Sequence, residues 1–187
     1  MNTLRTFTAD SETDLWKQVA ADMARQPDLL EYSAELQQNG FRIHFELDID
    51  LGGGFEGGYE TTYFTAAVPG QPALHFALHE QDWVHELGKL LGLTDVELGD
   101  TELDDAFIIT TNNPDELRTL LLSDHMVRQT LLKYQELRLE LTPTSHAPDA
   151  EVLLTFTKEQ AITDPHQLQE IYHMLYLLLQ QLRPATA

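Results

Sequence analysis

The sequence predicts an α+β domain in two layers, a mainly antiparallel sheet with helices packed on one face. Three observations support this class. Residues 41–50 alternate strictly between apolar and polar side chains, Asn113 begins a well-formed helix start, and the chain from Pro165 onward is apolar at helical spacing. No internal repeat or low-complexity stretch divides the 187 residues. We therefore expect a single domain, 1–187.

Two helical segments are predicted at the start of the chain. Ser11 and Asp14 have the spacing of a capping box, and the apolar residues that follow recur with the period of a helix. Pro27 interrupts this first helix. A second helical segment is predicted from Asp28 to Gln38, and Gly40 is interpreted as the residue that ends it.

Three consecutive strands are predicted next. The alternation over 41–50 gives one dry face and one wet face, which is typical of an antiparallel sheet covered on one side. A glycine-rich loop, 52–58, leads to a second strand, Tyr59–Val68. A proline-containing turn then leads to a third strand at 74–78. Because the connections are short, the three strands are expected to form a meander.

The second half of the chain is predicted to contain short elements with clear boundaries. An asparagine followed by proline and two acids, 113–116, favours a helix start, because the amide side chain caps the first turn and acids stabilise its positive end. The predicted elements are a helix at 83–91, an acidic turn at 95–105, a strand at 106–111, helices at 114–122 and 124–134, strands at 137–141 and 152–157, and a last helix from Pro165.

The last predicted helix carries apolar side chains on nearly all sides. Leu168, Ile171 and Leu175 form a stripe, and Met174 and Tyr176 widen it. Such a helix is either deeply buried or shared with a partner. Self-association through the C-terminal helix is therefore one expected interaction.

Net charge is the sharpest feature of the composition. There are 11 basic and 31 acidic residues, which gives −20 at pH 7. A field of this sign repels phosphate backbones and anionic lipid headgroups, so neither nucleic acid nor a membrane surface is an expected partner. The same field attracts a basic protein segment. The alternative is that the charge serves solubility alone.

Several classes of site and location are disfavoured by what the sequence lacks. There is no cysteine, which excludes disulfides, thiolate zinc sites and cysteine nucleophiles. The glycine-rich loop has no Gly-Lys-Ser/Thr and no other cofactor motif is found, so no cofactor is predicted. The start of the chain does not have the pattern of a signal peptide, and no apolar run is long enough to span a bilayer. A cytoplasmic location is expected.

Histidines on the polar face of the predicted sheet are the candidate metal ligands. Strand period places His75 and His79 on one face, and a neighbouring strand would bring His44 beside them. Three imidazoles can hold zinc and leave a position open for water. The spacing matches no zinc motif, because five residues separate His79 from His85 where HExxH has three. The alternative is a set of solvated strand histidines.

The acidic turn is a second place where a cation might be expected. Its acids are Asp95, Glu97, Asp100, Glu102, Asp104 and Asp105. Hard cations such as calcium prefer several oxygen ligands. The spacing departs from an EF-hand loop, because Gly99 falls at the fifth position rather than the sixth and Ala106 takes the place of the final glutamate. The alternative is a solvated turn whose acids cap neighbouring elements.

The segment Leu87–Asp124, LGKLLGLTDVELGDTELDDAFIITTNNPDELRTLLLSD, carries a recognisable pattern. It resembles a signature of uncharacterised bacterial proteins, in which LGKLLG and a D-x-E-x-G-D run precede D-x-x-F-I-I and an asparagine that opens a helix. That family has no known activity, so the resemblance implies a shared fold and no chemistry. Leu103 stands where the family usually has phenylalanine, which implies a packing role for that position.

These features favour a non-enzymatic acidic binding or adaptor module of the bacterial cytoplasm. No serine lies in an elbow motif, and no pair of acids has a spacing that indicates general acid–base catalysis, so enzymatic activity is disfavoured but left open. The expected partner is a basic protein segment or a second copy of the chain. The alternative is a metal-dependent hydrolase whose site contains His44, His75 and His79.

Overall fold

Nine strands and five helices make up the described part of the chain, and the strands form a mostly antiparallel sheet, which confirms the predicted α+β class. The computed structural model describes residues 4–26, 29–53, 57–80 and 93–184. The predicted helix at 83–91 lies outside these residues. The elements are, in chain order, β1 (Arg5–Thr8), α1 (Glu12–Met23), β2 (Glu31–Gln38), β3 (Phe41–Asp50), β4 (Tyr59–Ala67), β5 (Phe76–His79), β6 (Thr94–Asp95), α2 (Thr101–Ala106), β7 (Ile108–Thr111), α3 (Pro114–Leu122), α4 (His125–Lys133), β8 (Leu137–Pro143), β9 (Val152–Lys158) and α5 (Pro165–Leu182).

The chain divides into two compact units, each built from two stretches of sequence. The first unit contains Met1–Ala66 and Thr157–His173. The second contains Ala67–Phe156 and Met174–Ala187. Whether the whole chain behaves as one domain in solution stays a prediction.

In the first unit the strands follow the order β1-β2-β3-β4, with β1 parallel to β2 and the others antiparallel. One face of this sheet is dry, because the apolar residues at alternate positions of neighbouring strands lie side by side on it. Phe45, for example, pairs with Phe64 and their rings stack at 4.7 Å between centroids. Tyr172 of α5 covers the same face, since its hydroxyl donates to Gln38 and its ring meets Trp16 of α1 edge-on. The predicted one-sided covering is therefore found in this unit.

Strand β2 replaces a predicted helix, so the helical prediction for Asp28–Gln38 is wrong. Its buried residues alternate with less buried ones, which is the period of a strand. Asn39 and Gly40 do not end a helix but form a two-residue hairpin turn to β3, with φ of 51° and 84°. Positive φ at both positions is what a type I′ turn requires. The short parallel strand β1 was not predicted from the sequence.

In the second unit the strands follow the order β9-β8-β5-β7-β6. β5 pairs antiparallel with both β7 and β8, so the predicted meander is wrong at its third strand, and the actual meander is β2-β3-β4. All four residues of β5 are buried, on both faces of the sheet. A strand covered on both faces occupies the interior of a sheet, where two neighbours satisfy its backbone groups.

The predicted helix starts are confirmed by their caps. Ser11 accepts a hydrogen bond from the backbone N–H of Asp14, and Asn113 accepts one from Glu116. Asp124 caps α4 in the same way. Each cap satisfies a backbone donor that the first turn of a helix leaves without a partner.

Helix α5 begins at Pro165, as predicted, and its apolar side chains are buried within the single chain. The fully buried residues of α5 include Leu168, Ile171, Met174 and Leu178. Burial is therefore the alternative that the structure shows, and sharing with a partner stays a prediction. Among the described helices, none has the length and hydropathy needed to cross a bilayer.

Candidate functional site

The solvent-facing side of β2, β3 and β4 is lined with carboxylates, and we call it the acidic sheet face. Its acids are Glu31, Glu35, Glu46, Asp48 and Asp50. Strand pairing places Glu31 directly opposite Asp48. Like charges directly opposite each other across two strands are destabilising. The sheet therefore carries a concentration of negative charge, and the pairing of Glu31 with Asp48 opposes folding.

The acidic sheet face has few groups that neutralise it. Along the described strands β2, β3 and β4, Arg42 is the one Lys or Arg side chain that points to this side. His44 lies 2.8 Å from Glu46 through its Nε2, and the hydroxyl of Tyr59 donates to Asp48 at 2.9 Å. The hydrogen bond to Asp48 raises the pKa of Tyr59, because the carboxylate stabilises the protonated phenol. Five carboxylates thus face one guanidinium.

The histidines predicted to bind a metal are not on neighbouring strands. His44 on β3 pairs with Glu35 of β2 and Thr65 of β4, whereas β5 pairs with β7 and β8. The expectation that a neighbouring strand brings His44 beside the others is therefore wrong. The described residues contain no group of three or more His, Asp or Glu side chains placed to hold a metal ion.

The other two predicted ligands also differ from each other in their surroundings. His75 precedes β5, and its backbone N–H donates to Asn112 at 2.8 Å. His79 ends β5, is 7% exposed, and its Nδ1 lies 2.8 Å from the carbonyl oxygen of Glu80. Four residues of extended chain span about 13 Å. That separation is near the upper limit for two imidazoles that share one ion.

A polar cluster in the second unit was not predicted from the sequence. Arg138 of β8 stands opposite His79 of β5, and Glu140 lies two residues further along the same face. The Nε of Arg138 lies 3.3 Å from a carboxylate oxygen of Glu140, whose side chain is only 9% exposed. Burial raises the pKa of Glu140, and the charges of Arg138 and His79 oppose that shift. The predicted strand at 137–141 gave no signal that the carboxyl of Glu140 would be shielded from solvent.

The acids of the turn before β7 are used to hold the backbone and an arginine. Asp104 accepts hydrogen bonds from the backbone N–H groups of Leu98 and Gly99, at 2.8 and 2.9 Å. Asp100 caps α2 and accepts two hydrogen bonds from Arg128, at 2.6 and 3.0 Å. Those bonds hold the pKa of Asp100 below its usual range. These contacts favour the capping interpretation of the turn over the calcium one.

No protein-family model, curated protein or solved structure matches the chain. The resemblance of Leu87–Asp124 to the signature of uncharacterised bacterial proteins therefore stays a prediction. The acidic sheet face is the surface whose geometry and charge bear most directly on function.

Proposed function

We propose that this chain is a non-enzymatic acidic binding module of the bacterial cytoplasm, and that its acidic sheet face binds a basic segment of a protein partner. The observation that carries the proposal is the set of carboxylates on β2 and β3, with Glu31 directly opposite Asp48 and Arg42 as the one strong base beside them. A cationic partner relieves the repulsion between these acids. Complementary charge also gives specificity and a fast association rate.

The spacing of the sheet suits an extended basic segment. Residues that share one face of a strand lie about 7 Å apart along it, and neighbouring strands lie about 4.8 Å apart. Lys or Arg at alternate positions of an extended partner repeats at the same distance of about 7 Å. Tyr63 stands opposite Glu46 on the same face and offers an aromatic ring to a cation. Nucleic acid does not fit, because its phosphates carry the same sign as the face.

The proposal is tested by fluorescence anisotropy with a labelled peptide that alternates lysine and alanine. A triple variant, Glu31→Gln, Glu46→Gln and Asp48→Asn, removes three charges from the acidic sheet face. We expect the triple variant to bind the peptide about 10-fold more weakly than the unchanged protein, or more weakly still. A 10-fold loss of affinity corresponds to about 1.4 kcal/mol of binding free energy. Binding to the unchanged protein should weaken as salt is added, because salt screens exposed charges.

A matched control variant separates the face from the overall charge. Glu97→Gln, Glu151→Gln and Asp105→Asn remove the same number of charges of the same types at exposed positions of the second unit. The control should bind the peptide within about 2-fold of the unchanged protein. Equal losses in the two variants, or no binding of the peptide at all, would contradict the proposal.

Two other interactions stay predictions. The hydrophobic driving force for self-association through α5 is reduced, because the apolar residues of that helix are already buried in one chain. The alternative function, a metal-dependent hydrolase with His44, His75 and His79, has no supporting strand arrangement among the described residues. The acidic sheet face therefore supports the binding module best.

A further inference from the structure

The turn between β2 and β3 places an exposed asparagine directly before an exposed glycine. These two residues are Asn39 and Gly40, with φ of 51° and 84°. A Cβ placed on Gly40 would meet nothing within 4 Å, so the space beside this residue is open. The hydrogen bond of a type I′ turn joins the residues on either side of the central pair, and the central pair itself lies outside the strand ladder. The peptide nitrogen of Gly40 is therefore accessible to the side chain that precedes it.

An asparagine in such a position can react with the backbone that follows it. The next peptide nitrogen loses its proton and attacks the side-chain amide carbon. A C–N bond forms and closes a succinimide ring, and the amide nitrogen takes up a proton and leaves as ammonia. Water then opens the ring. Opening at the side-chain carbonyl gives aspartate, and opening at the main-chain carbonyl gives isoaspartate, in which the backbone runs through the former side chain.

Glycine after the asparagine favours the first of these steps. It has no Cβ to crowd the attacking nitrogen, and its backbone adopts conformations that other residues avoid. The nitrogen must lose its proton before it attacks, so the reaction is faster at higher pH. Asparagine is for this reason among the thermally labile residues of proteins.

The other two asparagines in the described part of the chain are held differently. Asn112 is also exposed, but its side-chain oxygen accepts from the N–H of His75 at 2.8 Å and its amide donates to the carbonyl oxygen of Ala73 at 2.7 Å. Both bonds must break before the amide can turn to the following peptide nitrogen. Asn113 precedes Pro114, whose nitrogen carries no hydrogen and cannot act as the nucleophile.

We propose that Asn39 is a site of spontaneous deamidation, with the peptide nitrogen of Gly40 as the nucleophile and water as the co-reactant, and that the fold holds Asn112 unreactive. The net change is the uptake of one water molecule and the loss of one ammonia molecule. The product carries one more negative charge than a chain that already has −20. This modification is independent of the proposed binding function.

The two products differ in what they do to the hairpin. Aspartate tolerates positive φ much as asparagine does, so it keeps the turn. Isoaspartate adds one carbon atom to the backbone of a turn whose length sets the register of the two strands. That register pairs Gln38 with Phe41 beside the turn. The isoaspartate product should therefore unfold at a lower concentration of urea than the aspartate product.

Incubation of the untagged full-length protein at mildly alkaline pH, followed by peptide mass spectrometry, tests the proposal. Deamidation changes the mass of a peptide, and chromatography separates aspartate from isoaspartate. We expect Asn39 to convert at least about 10-fold faster than Asn112, a difference of about 1.4 kcal/mol in activation free energy. Gly40→Ala should slow the conversion, because its methyl group crowds the nitrogen. Asn39→Asp supplies the standard for the aspartate product.

A matched variant separates the fold from the dipeptide. Asn113→Gly creates a second asparagine–glycine pair at Asn112, and glycine replaces asparagine at a helix cap at little cost. In the folded variant Asn112 should still react more slowly than Asn39, and in urea the two rates should become similar. No conversion at Asn39, an unchanged rate in Gly40→Ala, or equal rates at the two sites of folded Asn113→Gly would each overturn the proposal. Circular dichroism confirms that each variant is folded.

Discussion

At the scale of single residues, Thr62 shows how a polar side chain can be buried in the apolar core of the first unit when it is hydrogen-bonded. It lies on the buried face of β4 and has no exposed surface. Its hydroxyl donates to the carbonyl oxygen of Gln160 at 2.7 Å and accepts from the N–H of Ile162 at 2.9 Å. Both partners belong to the connection between β9 and α5, where the backbone has no regular structure to satisfy it.

We expect Thr62→Val to lower the free energy of unfolding by about 2 kcal/mol, because it leaves the buried N–H of Ile162 and the partly buried carbonyl oxygen of Gln160 without their partner. Valine has nearly the same shape, so little of the loss comes from packing. Urea unfolding measures the change. Thr61→Val, on the opposite face of the same strand, is the control and should change the free energy by less than about 0.5 kcal/mol. Equal losses at the two positions would show that the hydroxyl of Thr62 has no special role.

The raised pKa of Glu140 leads us to predict that the free energy of unfolding depends on pH. Its pKa is raised in the folded state, so its contribution to stability is complete below the unfolded-state pKa of about 4.3 and is lost as the pH rises through the folded-state value. Glu140→Gln cannot titrate. The unfolding free energy of the unchanged protein minus that of the variant should therefore be smaller at about pH 7 than at about pH 4. A difference that grows with pH would mean that Arg138 outweighs the burial of the carboxyl.

At the scale of secondary-structure elements, the β2-β3 hairpin depends on its two-residue turn. Gly40 has φ of 84°, and a Cβ placed on it would meet nothing within 4 Å. The cost of a side chain there is thus conformational rather than steric. Gly40→Ala should lower the free energy of unfolding by about 1 kcal/mol. Gly53→Ala is the control, because Gly53 also has open space and lacks a positive φ. A loss of the same size in both variants would argue against the role of the turn.

The elements that were predicted correctly are those whose signal is local. The alternation of β3 and the caps Ser11, Asn113 and Asp124 depend on neighbouring residues only, and the structure confirms them. The error over β2 had a local remedy, because Asn-Gly between two alternating segments is a strong hairpin signal. The position of β5 had none. Long-range packing determines which strands pair with β5, and the local sequence pattern does not reveal the order of the strands.

At the scale of the whole molecule, the charge of −20 was readable from the composition, but its distribution was not. Finding the acidic sheet face required the register of β2 against β3, and β2 had been predicted as a helix. The acids of the turn looked equally prominent in the sequence, yet they bind the backbone and Arg128.

The pairing of β5 also has a consequence for the order in which the protein can fold during synthesis. Phe76–His79 leaves the ribosome well before Ile108–Thr111 and Leu137–Pro143, the strands that flank it. Until those two strands have been synthesised, β5 is an apolar segment of the nascent chain with both of its edges unpaired. The β2-β3-β4 hairpins, in contrast, can already form. Contacts between distant parts of a chain form slowly, and unpaired strands invite aggregation in the interval. A chain truncated after β7 should therefore be insoluble. In the full-length chain, the middle third would benefit from chaperone binding while it leaves the ribosome.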